Sequence, residues 1–132
     1  MKKILYLLLT LALFASITTI TSFAFTIPDT AVSCTITTNQ SYNYSTYVVG
    51  THKYFGGQNY SSSNRKLTVA AEYFDGSSDK YLTDTYEYVD IGSEFSEMST
   101  KKYSGPLCWR VYLKPYGWAS SGCSGCGYIR NK

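Results

Sequence analysis

The side chains best able to do chemistry crowd into the last stretch of the chain, Gly105 to Lys132. It holds three of the four cysteines (Cys108, Cys123, Cys126), both tryptophans (Trp109, Trp118) and half of the ten glycines. Cys123-Ser124-Gly125-Cys126 has the spacing of a thiol–disulfide redox pair. That chemistry needs its first thiol at a helix N-terminus, where the dipole lowers the pKa. Here Gly122, Gly125 and Gly127 surround the pair, and each glycine costs a helix about 1 kcal/mol. A zinc site needs a second close pair of ligands, and Cys34 and Cys108 are 74 residues apart. The expectation is two structural disulfides. Cys108–Cys123 with Cys34–Cys126 is the preferred pairing, because a turn at Pro115-Tyr116-Gly117 would lay a strand from Trp118 back along Cys108–Lys114. The rival is Cys34–Cys108 with Cys123–Cys126, whose second loop is too tight to restrict much of the unfolded chain.

Catalysis has little else to draw on. His52 is the one histidine, and no GxSxG or HExxH motif marks a nucleophile or a metal. Asp75, Ser77 and Asp79 resemble the opening of a calcium loop, but the sixth and twelfth positions, where that loop needs Gly and Glu, are Lys80 and Tyr86. An ordinary turn is expected there. Acids are plentiful enough that a paired-carboxylate site stays open. The sequence otherwise predicts no enzyme, no metal site and no cofactor.

Binding has more material. Thirteen tyrosines remain after residue 24 (the chain's fourteen less Tyr6), more than a core of this size can hold. Exposed Tyr and Trp offer rigid contact area with a polar tip. Arg110, Tyr112, Tyr116 and Trp118 are the candidate surface, facing an extracellular protein or a cell-wall glycan. Aromatics aligned on one flat face would favour the glycan. The alternative is a bacteriocin-like antibacterial or toxin domain, which a short exported Gly- and Tyr-rich β chain resembles in composition alone.

Export is read from the first residues. Met1-Lys2-Lys3 is a cationic start, Ile4–Ile20 is mostly apolar, and Ser22-Phe23-Ala24 offers small residues at a cleavage site. Residues 1–24 are therefore expected to be a signal peptide, and 25–132 a single secreted β domain, extracellular and bacterial. Five Ser and Thr between Ser16 and Ser22 shorten the apolar run below a membrane span, so no span is expected after the leader is removed. Lipidation at Cys34 is disfavoured because Pro28 and Asp29 separate it from the apolar run. Ten Lys and Arg (the chain's twelve less Lys2 and Lys3) oppose nine Asp and Glu in that domain, a net of +1. Nothing in that balance calls for nucleic acid.

The elements that would position these residues read as strands throughout. Trp109, Val111 and Leu113 alternate with Cys108, Arg110, Tyr112 and Lys114, the period of a half-buried strand. Cys34 and Ile36 share a face of a first strand, and a second runs over residues 42–49. Gly56-Gly57 is expected to begin a flexible polar loop through Asn64. Leu67, Val69, Ala71 and Tyr73 make the inward face of a hairpin that turns at Asp75-Gly76 and returns from Tyr81 to Ile91. Ser93–Lys102 is ambiguous, with a short helical turn open. Residues 67–97 carry eight acids and one base, whereas 98–132 carry six bases and no acid, which predicts neighbouring strands whose charges meet. The fold expected is a small antiparallel β-sandwich, Ig-like or a flattened barrel, stapled by disulfides.

Overall fold

A computed structural model describes residues 25–132; the expected signal peptide, residues 1–24, lies outside the described residues. The described chain is all β. Its strands are β1 (Val32–Ile36), β2 (Asn43–Tyr44), β3 (Val48–Gly50), β4 (Tyr54–Asn59), β5 (Leu67–Asp75), β6 (Lys80–Val89), β7 (Glu94–Ser99), β8 (Leu107–Pro115) and β9 (Gly125–Arg130). They form two antiparallel sheets. One has the order β1-β9-β4-β7; the other runs β2-β8-β5-β6, with β3 also on β8. The β-sandwich expected from the alternating patterns is the architecture observed, with no helix among the described residues.

Between the sheets lies one core. Ile36, Phe55 and Ile129 from the four-stranded sheet meet Leu67, Val69, Ala71, Trp109, Val111 and Leu113 from the other. Each of the Val, Leu, Ile and Phe side chains contributes about 1.5–3 kcal/mol by leaving water. Trp109 is 0% exposed, and its Nε1 donates to the Gly50 carbonyl at 2.7 Å. The sheets can approach closely because the four-stranded one presents bare backbone. Gly57 and Gly127 are cross-strand partners. A Cβ on Gly57 would lie 2.7 Å from Val69 Cγ2, and one on Gly127 2.8 Å from Leu113 Cδ2.

β8 shows the expected alternation, with Trp109, Val111 and Leu113 buried. The β5–β6 hairpin also forms, and the Asp75 carboxylate closes its turn by accepting from the backbone and hydroxyls of Ser77 and Ser78. Those bonds hold the Asp75 carboxyl below its ordinary value, Ser78 contributing most. Glu72 faces Arg110 across the neighbouring β5 and β8, as predicted, whereas Arg130 of β9 reaches Glu97 of β7 at 2.6 Å across the intervening β4.

Other expectations are corrected. Gly56-Gly57 sits in the middle of β4, between β7 and β9, rather than opening a loop. The strand expected over 42–49 breaks at Ser45, whose own hydroxyl accepts the Val111 amide at 3.1 Å while its N–H donates to the Val111 carbonyl. Residues 94–99 are a strand, with a bulge that leaves Glu97 at φ 59°.

The disulfides are corrected too: Cys34, Cys108, Cys123 and Cys126 are all free. No strand returns from Trp118 along β8. The chain instead leaves the five-stranded sheet and enters the other as β9, between β1 and β4. Cys123 lies beside the Pro115 end of β8, donating to the Arg65 and Lys66 carbonyls. Cys108 lies near the opposite end, paired with Val49. Seven residues of strand separate Cys108 from Pro115, roughly 23 Å, far beyond a disulfide's reach. Cys34 and Cys126 are on neighbouring strands but opposite faces, since Cys34 pairs with Gly127 and Cys126 with Thr35.

Candidate functional site

The outer face of the five-stranded sheet is set by register. β5 is central, with β6 on one side and β8 on the other, and the first outward residues along it are small: Thr68 and Ala70. Thr68 lies between Tyr88 of β6 and Lys114 of β8; Ala70 lies between Tyr86 and Tyr112. Large side chains flanking small ones leave a trough over β5. Tyr116, Gly117 and Trp118, in the turn after β8, close one side of it. Its volume is about 710 Å³.

Ring contacts organise the walls. Tyr88 meets Tyr116 edge-on at 4.7 Å, and Tyr86 lies 4.9 Å from Tyr88. On the far side Tyr42 stacks on Tyr44 and on Tyr112 at 6.2 and 6.0 Å. Tyr42, Tyr44, Tyr86, Tyr88 and Tyr116 remain exposed on the same face, and Trp118 is fully exposed. The Tyr88 phenol is raised by its hydrogen bond to Tyr86, and the Tyr112 phenol by burial and then by the Glu72 charge. Both stay protonated in neutral solution and present hydroxyls.

At the end of the trough Glu72 and Arg110 form an ion pair at 2.8 Å, with side-chain exposures of 10% and 18%. The guanidinium also lies 3.7 Å from the Tyr81 ring centre and 4.2 Å from that of Tyr44. Lys114 has no acid partner among the described residues, in contrast to Lys66, which holds Asp90 at 2.8 Å. Thr68 is 5% exposed, and its hydroxyl has no hydrogen-bond partner.

Of the residues singled out in the sequence, Tyr112, Tyr116 and Trp118 line the trough together, and Arg110 closes its end. Sequence reasoning missed Tyr86, Tyr88, Thr68, Ala70 and Lys114 as members. The signal was available in part, because Thr68 and Ala70 alternate with the inward Leu67, Val69 and Ala71. Their opposition to Tyr88 and Tyr86 needs the register. His52 stands apart, edge-on to Tyr54 at 4.9 Å. Lys53 is buried, donating to the Asn131 side chain at 2.6 Å, and burial lowers its pKa. No cluster of three or more His, Cys, Asp or Glu that could hold a metal occurs among the described residues.

No protein-family model matches the sequence, and neither does any curated protein. Among solved structures the chain is similar to PirA, at 11% identity and a TM-score of 0.47, over 81% of this chain and 97% of that one. It is also similar to the Yersinia pseudotuberculosis-derived mitogen, at 16% identity and a TM-score of 0.41, over 78% of this chain and 85% of the mitogen. Neither likeness bears on what this chain binds.

Proposed function

We propose that this chain is an extracellular, non-catalytic binding module that seats a saccharide in the trough over β5. The observation that carries the reading is the alignment of exposed aromatic rings on one sheet face, around a floor of small residues. Ring faces are apolar platforms for the C–H surface of a sugar, and phenol and hydroxyl tips bond its oxygens. Trough and rings are pre-formed by strand pairing, so little ordering entropy opposes binding. The non-catalytic part rests on the lining. Glu72 is the lone carboxylate, and Arg110 holds it; no Cys, Ser or His lines the trough among the described residues. The extracellular part rests on the leader-like residues 1–24.

Backbone amide NMR of the labelled domain, titrated with a panel of neutral and charged oligosaccharides, tests this. Shifts should cluster on residues 68–72, 83–88 and 112–118. Tyr112→Ala should weaken binding roughly tenfold, as removal of a central aromatic anchor does, with the amide spectrum otherwise kept. Shifts confined to the four-stranded sheet, or none with any sugar, would overturn the reading.

A further inference from the structure

Building on that saccharide reading, we infer that the sugar bound in the trough carries an anionic group, seated between Lys114 and Thr68. These two residues are direct cross-strand partners on the trough's floor and wall. The other cations near this face are occupied: Arg110 holds Glu72, and Lys66 holds Asp90. Lys114 alone lines the trough with an uncommitted ammonium, a group with three donors and no acceptor. Opposite it, the Thr68 hydroxyl is 95% buried by residue and bonds to nothing. Leaving a buried polar group unsatisfied is unfavourable, and Thr68 is one of the residues that line the trough. Two donors lacking acceptors call for a group that only accepts. An ionised carboxylate or sulfate does this, and its charge complements the ammonium. A neutral sugar hydroxyl would occupy the same positions with charge on the lysine alone, whereas an anion pairs charge with charge at Lys114 and brings charge assistance to the Thr68 bond as well. Tyr88 lies on the other side of Thr68, with Tyr116 against it, so the ring bearing the anion has an aromatic wall.

The test uses residues 25–132 and three acidic probes: a galacturonate trimer, an N-acetylneuraminyl-lactose and a 6-sulfated lactose. Each carboxylate probe is compared with its carboxyl-reduced alcohol, and the sulfated one with plain lactose. By calorimetry, at least one acid should bind roughly tenfold tighter than its neutral partner, and that preference should shrink as salt is raised. Carboxylate or sulfate preference identifies the source of the charge. In Lys114→Gln the acid and its neutral partner should bind with equal Kd. Thr68→Val should weaken acid binding, and Thr68→Ser should restore it. Acids that bind no tighter than their partners, or a preference surviving Lys114→Gln, would overturn the inference. If the neutral sugars bind as well as the acids and Tyr112→Ala removes both, the saccharide trough stands and the anionic group falls. If no probe shifts the trough's amides, both fall.

Discussion

Arg110 ties the surface of the five-stranded sheet to its fold. Its guanidinium donates to Glu72 at 2.8 Å and lies against the Tyr81 and Tyr44 rings. Because the pair is largely shielded from water, removing one member strands a desolvated charge. Glu72→Ala is expected to destabilise the domain by on the order of 3 kcal/mol. Arg110→Lys should recover only part of an Arg110→Ala loss, since an ammonium cannot reproduce the planar fork or the stacking. Urea unfolding of the three variants measures this, and a Glu72→Ala loss well under about 1 kcal/mol would place the pair among ordinary surface bridges. The cysteines make a second prediction at this scale. Burial, reinforced by Cys126, pushes the Cys34 thiol up to about 12, and burial also raises Cys123 and Cys126. Thiolate is the reactive form, so a disulfide-exchange reagent at pH 8 should label Cys34, Cys123 and Cys126 only after unfolding. Fewer than four thiols in the unfolded, unreduced protein would contradict the four free cysteines.

Strand β4 shows the limit of local reading at the scale of elements. Two successive glycines read locally as a break, yet Gly56 and Gly57 occupy a strand paired on both edges. The requirement comes from elsewhere in the chain: the Tyr128 ring packs where a Gly56 side chain would be, and Val69 fills the place of a Gly57 methyl. Gly57→Ala should therefore cost about 1–3 kcal/mol by overpacking. Gly76→Ala in the hairpin turn, with nothing within 4 Å, should change stability by less than about 0.5 kcal/mol. Thermal unfolding of both variants checks the contrast, and equal effects would refute it. β8 and the β5–β6 hairpin were legible because their alternation and the Asp75-Gly76 turn are local. The path of β9 was not, because the turn at Pro115–Gly117 sets where β8 ends but not which sheet receives the next strand. The trough was half legible for the same reason. Tyr112, Tyr116 and Trp118 are close in sequence, whereas Tyr86 and Tyr88 join them only through the pairing of β6 with β5.

For the molecule as a whole, the acids whose protons the fold retains set its alkaline limit. The Tyr60 phenol is raised to about 12, chiefly by its hydrogen bond to Cys126; Cys34 is raised to about 12. Burial also raises Tyr103 and Tyr128. In the unfolded chain these groups ionise near 9–10, while the folded state keeps their protons. Their contribution is complete below about pH 9 and is lost as pH rises toward 12, because the unfolded state then binds fewer protons. The urea midpoint should fall steeply between about pH 9 and 12, less so in Cys34→Ala; an unchanged midpoint would refute the linkage. The two tryptophans lie at opposite extremes of exposure, Trp109 at 0% in the core and Trp118 wholly in solvent on the trough's rim. The molecule thus carries two intrinsic fluorophores in different solvents, one dry and one wet. Blue-edge emission tracks the integrity of the interior, and red-edge, iodide-quenchable emission tracks whatever enters the trough. An unlabelled sample excited at one wavelength can distinguish a compound that occupies the site from one that merely unfolds the protein.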